Sequence, residues 1–189
     1  MRRRTYEAAA ADTDCAIRNS TAVASHRTSS DDIEYAVRQL VEVAVRALSP
    51  GINDPHTAIS VLNRLGAALC DLAPLTLSNG VTVREGHTCL VIPTVQYDGL
   101  TDAMFHLIRQ NAQLSATVLI RALEVLTAVA TVERDPTRLG TLRRHADLIL
   151  ADGQRNIETV EDVRDLGRRH ACFSEMASGR PVLALFVAR

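Results

Sequence analysis

The feature that most constrains this chain is one short connection, Ser49-Pro50-Gly51-Ile52-Asn53-Asp54-Pro55, set between two runs of helically spaced apolar residues. Pro50 stops the first run because it lacks an amide hydrogen and clashes with the preceding turn. Gly51 permits a backbone reversal. Asp54 followed by Pro55 is an N-cap with proline at the first helical position, so a second helix starts there. A connection this short makes the two helices antiparallel neighbours. Whatever else the chain does, it must pack helix on helix.

The run before the loop, Ile33 to Leu48, carries Ile33, Val37, Leu40, Ala44 and Ala47 on one face. Val41, Val43, Val45 and Leu48 widen that face until only Arg38, Glu42 and Arg46 remain as a polar stripe, spaced for mutual ion pairing. Such a helix belongs in the middle of a bundle or at a subunit interface. After the loop, Ala58, Val61, Leu62, Leu65 and Leu69 form the inner face of a helix to about Leu72. Residues 76–95 change character: Val81 to Arg84, the turn pair Glu85-Gly86, then His87 to Ile92 read as a β-hairpin closed by Pro93.

Helical spacing returns from Leu100 to Gln113 and from Leu114 to Glu133, with a break near Asn111. Asp135-Pro136 repeats the cap-and-proline signal and starts a helix to about Ala151, where Asp152-Gly153 is expected to break it. A last helix runs from about Ile157 to Met176, started by Thr159. The reading is a mainly α-helical bundle of five or six helices with a small hairpin insertion. Residues 1–30 form a weakly ordered segment, a weak helix and then a linker, before Asp31-Asp32 caps the first bundle helix. Residues 31–176 form the domain, with the hairpin at about 80–93, and 177–189 an apolar tail.

Composition removes several chemistries. All 21 basic residues are Arg, so no lysine exists to bind phosphate in a Walker loop or to form a Schiff base. A net charge of -1 and the absence of lysine oppose nucleic-acid binding, and Arg143-Arg144 and Arg168-Arg169 read as solvated faces. Aromatics are 3% of the chain with no Trp, so the core is aliphatic. Cys15, Cys70, Cys89 and Cys172 form no close pair and read as free thiols. His87/Cys89 and His170/Cys172 are spaced poorly for zinc, and no metal or cofactor is expected. Leu114 to Val132 is apolar but carries Arg121 and Glu124, which marks a buried helix rather than a membrane span.

One cluster invites a site. Arg46, Ser49, Asn53, Asp54 and His56 gather polar groups beside a helix N-terminus, where a small anion or polar ligand could sit. The competing explanation is structural: Asp54 caps, Asn53 and Ser49 satisfy turn backbone, and Arg46 pairs with Glu42.

The block from Arg38 through Ala58, with Leu62-Asn63-Arg64-Leu65-Gly66 after it and Arg27-Thr28 before it, resembles the signature of the DUF2254 family of predicted bacterial membrane proteins. The likeness extends more weakly to about residue 130, through the hairpin and Ile108-Arg109-Gln110. Glu42 stands where the family usually has Asp, and Tyr35-Ala36-Val37 replaces a Phe-Gly-Ile-like triplet. The resemblance implies spanning helices upstream of this region in other members and brings no catalytic residues with it.

The expected function is therefore a non-enzymatic helical interaction or assembly module, self-associating and without a nucleic-acid partner. It would be cytoplasmic as the chain stands, or membrane-associated through a membrane-embedded partner segment in a full-length member. The alternative is a small-molecule or anion-binding domain, enzymatic or not, with its site at the Ser49–Pro55 loop.

Overall fold

The computed structural model describes residues 13–19, 33–92 and 94–180. The chain divides into two units, Met1–Asp32 and Ile33–Arg189. In the first, residues 13–19 form a helix, α1. The expected linker, the Asp31-Asp32 cap, Pro93 and residues 181–189 of the expected apolar tail lie outside the described residues.

The second unit runs α2 (Ile33–Ala47), α3 (Pro55–Leu72), β1 (Val81–Arg84), β2 (His87–Val91), α4 (Tyr97–Asn111), α5 (Ala116–Val132), α6 (Pro136–Asn156) and α7 (Val160–Ala177). The fold is mainly α with one antiparallel hairpin. All five residues expected on the inner face of α3 are buried: Ala58, Val61, Leu62, Leu65 and Leu69. The core is aliphatic apart from Phe105, Phe173 and Tyr97.

The centre of the bundle is α5, not α2. Helix α5 packs against α3, α6 and α7 and buries Val118, Leu119, Ala122, Leu123, Val125, Leu126, Val129 and Ala130. Helix α2 packs against α3 and α4, burying Val37, Val41, Ala44 and Ala47 while Val43 and Ile33 stay exposed. Its polar stripe pairs differently from the expectation as well. Arg46 bonds Glu42, but Arg38 turns to Glu34.

The expected break at Asp152-Gly153 does not occur, and α6 continues to Asn156. Asp152 is buried and ion-paired with Arg109 of α4. Gly153 is small for packing: a Cβ there would lie 2.5 Å from Cδ1 of the fully buried Leu166 on α7. Gly66 of α3 does the same against Val125 Cγ1 of α5, also at 2.5 Å. These glycines let helices approach closely instead of ending them.

The hairpin turns through Glu85 and Gly86, whose φ angles of 52° and 78° are the paired positive values of a type I′ turn. Register runs Val81 to Val91, Thr82 to Leu90, Val83 to Thr88 and Arg84 to His87, with a bulge after Thr82. At its base Gly80, at φ 71°, accepts a 2.8 Å bond from the Ile92 amide. No side chain fits at Gly80, because a Cβ would meet the Ile92 carbonyl oxygen at 1.9 Å.

Candidate functional site

The loop between α2 and α3 is built as a closed set of turn bonds. Asp54 accepts from the His56 and Thr57 amides at 3.1 and 3.2 Å and from the Thr57 hydroxyl at 2.6 Å. Those bonds, led by the Thr57 hydroxyl, hold its carboxyl below the usual carboxylate range. The Ser49 hydroxyl donates to the Arg46 carbonyl at 2.7 Å. The Ile52 and Asn53 amides both return to the Ser49 carbonyl, at 3.0 and 2.9 Å, and the Asp54 amide to the Ala47 carbonyl at 2.8 Å. Asn53, at φ 48°, takes the left-handed conformation in this turn. An Asn tolerates that region better than most side chains do.

The five expected site residues are thus neighbours, each with a turn duty. Arg46 lies out on the last turn of α2 against Glu42, and the His56 side chain is exposed. None of the five lines the cleft of about 560 Å³ between α2 and α4. That cleft has an apolar floor of Val41, Val45, Ala103 and Leu107, with Glu42 on one rim and Asp102 and His106 on the other.

Behind Asp102 stands a group that periodicity alone did not single out. His145 of α6 is fully buried, with Nε2 3.1 Å from Asp102 Oδ1 and its ring tilted against Phe105. Arg144 bonds the same Asp102 oxygen at 2.5 Å. Burial, aided by the Arg144 charge, pushes the His145 imidazole down to about 4 despite Asp102, so it is neutral near neutral pH. Together with the Arg109–Asp152 pair, these polar groups lock α4 to α6. The signal was present in the sequence as His145 on the inner stripe with Leu142 and Ile149. Among the described residues no group of His, Cys, Asp and Glu is arranged to hold a metal.

The hairpin is the other unusual surface. Every residue of β1 and β2 is exposed, including Val81, Val83, Leu90 and Val91, and Ile92 follows at 53% exposure. A two-stranded hairpin standing alone is marginal in water, so this apolar content is out of proportion to its packing.

The fold of the Arg38–Gly66 block accounts for its sequence. Ala44, Ala47 and Ala58 are buried, Gly66 abuts Val125 of α5, Asp54-Pro55 starts α3, and Asn63 accepts a 2.6 Å bond from Arg121 of α5. The family described as predicted membrane protein, DUF2254, matches residues 3–128. The chain belongs to the DUF2254 family. Its relatives include an uncharacterized protein of Mycobacterium bovis and two of Mycobacterium tuberculosis, each 33% identical over 137 residues. That match covers 72% of this chain and 26% of each relative, so the chain spans about a quarter of their length. No solved structure matches it. Among the described residues, no helix of this DUF2254 member is long and apolar enough to cross a membrane.

Proposed function

We propose that the chain is a non-enzymatic helical interaction module that self-associates, and that in longer DUF2254 proteins the equivalent region assembles outside the membrane. The observation that carries this reading is the apolar hairpin, whose strand residues are all exposed. The apolar girth of α5 is largely buried inside the fold, whereas the hairpin exposes Val81, Val83, Leu90 and Val91 together. The family description as a predicted membrane protein supports the extramembrane placement, given that no described helix could span. Sedimentation velocity of the 189-residue chain tests the reading. The expected result is a sedimentation coefficient that rises with concentration toward that of a dimer. A single monomeric species at the highest concentration reached would overturn it.

The loop as a ligand site is the weaker reading. Ser49 and Asp54 are engaged in turn bonds and Arg46 with Glu42, and Asn53→Ala separates the two explanations. A turn role predicts a lower unfolding midpoint with no change in response to added phosphate or carboxylates. A site predicts the loss of a stabilising response that the parent chain shows.

A further inference from the structure

We propose that the cleft between α2 and α4 is a binding site for an aliphatic ammonium ion, a small molecule with a hydrocarbon body and a cationic head. The hairpin contributes no residue to this cleft, so the proposal stands apart from the assembly reading above.

The cleft opens because α4 carries little bulk on that side. Gly99 and Ala103 stand one turn apart on α4 and line the same space as Val41 and Val45 of α2. A Cβ added at Gly99 would meet only Val95 Cγ1, at 3.8 Å, so no neighbouring side chain fills the room that the glycine leaves. Leu107, half exposed, extends the apolar surface by a further turn. At about 560 Å³ the space has the size and make-up of a small-molecule site, mostly apolar with a few polar groups at its edge.

The charges around the cleft give the sign of the ligand. Glu34, Glu42 and Asp102 line it against one guanidinium, that of Arg38, and Arg38 is already turned to Glu34. An anion entering the cleft would meet the carboxylates of Glu42 and Asp102, whereas an ammonium is drawn to them. Both carboxylates are bonded through one oxygen, Glu42 Oε1 to Arg46 and Asp102 Oδ1 to Arg144 and His145. Neither Arg46 nor Arg144 lines the cleft, and Glu42 Oε2 and Asp102 Oδ2 can accept from a ligand.

Asp102 is the better prepared of the two. Arg144 at 2.5 Å and His145 Nε2 at 3.1 Å fix its side chain from α6, and His145 is itself packed in the core against Phe105. An acceptor already held in place costs little to order when a ligand arrives. The cationic head therefore sits at Asp102, and the hydrocarbon body lies along Ala103, Val41 and Val45.

Isothermal titration calorimetry of the full chain at neutral pH and low salt tests this with octylammonium, octanoate and ethylammonium. The first carries both body and head, the second a like body with the opposite charge, the third the head with almost no body. The expected result is saturable binding of octylammonium, about tenfold tighter or more than either of the others. Ala103→Phe fills the cleft and Asp102→Asn keeps its shape while removing the charge. Each should weaken octylammonium about tenfold or more with an unchanged helical spectrum. Should either variant fail to fold, the comparison of the three probes decides alone. Octanoate or ethylammonium binding as tightly as octylammonium would overturn the proposal, as would an unaltered affinity in a folded Ala103→Phe or Asp102→Asn. Absence of saturable octylammonium binding would overturn it outright.

Discussion

Single residues decide how this fold answers to pH and to small changes of volume. His145 is neutral in the fold, its imidazole held near 4 against an ordinary value of 6.5. Between those values the unfolded chain binds a proton that the folded chain refuses, so stability falls as pH drops from about 6.5 to 4. The loss amounts to about 3 kcal/mol across that window. Asp54, Asp102 and Asp135, all held below 3.8, add their own losses only at lower pH. Urea titrations of the parent and of His145→Gln at pH 4.5 and 7 check this. The variant should show a smaller pH dependence above 4; equal dependence in both would refute the assignment.

Glycines give the second residue-level prediction. Gly153→Ala and Gly66→Ala push a Cβ into Leu166 and Val125, and each is expected to destabilise by about 1–3 kcal/mol despite alanine's better helix propensity. Gly140→Ala on the exposed side of α6 meets nothing within 4 Å and should stabilise by about 0.4–1 kcal/mol. Thermal unfolding of the three variants reads the opposite signs directly.

Among elements, the α4–α6 junction is held by buried polar chemistry. Arg109 and Asp152 face each other with side chains only 9% exposed. Asp152→Ala strands a buried guanidinium and is expected to cost about 3–5 kcal/mol, whereas Arg109→Met with Asp152→Leu should recover most of that. A double variant as unstable as the single one would contradict the pairing argument. The same pair shows where sequence reading stopped. Helix boundaries at Asp54-Pro55 and Asp135-Pro136 were legible because capping is local chemistry, settled within four residues. The hairpin was legible from its Glu85-Gly86 turn. Asp152-Gly153 misled because the same dipeptide that ends a helix in water continues one when Asp meets a distant Arg and Gly meets a distant Leu. Helix α2 looked central because its own apolar arc is wide, but centrality is set by how many helices surround it, and α5 has more. For the loop cluster, spacing showed which residues are neighbours in sequence, and the structure added the turn bonds of Ser49 and Asp54 and the Arg46–Glu42 pair.

At the scale of the whole molecule, the bundle buries its aliphatic helices well and leaves one element out of account. A hairpin exposed along both strands, with no charge between Thr88 and Val91, sits beside a helical bundle with an aliphatic core. On the proposed reading, that surface is where this chain would meet a second copy. The most direct test is hydrogen exchange of the β2 amides at two protein concentrations a hundredfold apart, followed by mass spectrometry. The account predicts that exchange across His87–Ile92 slows at the higher concentration, while the central α5 amides exchange at the same slow rate in both. Equal exchange of the β2 amides at both concentrations, in a chain that sedimentation shows to be associated at the higher one, would contradict it.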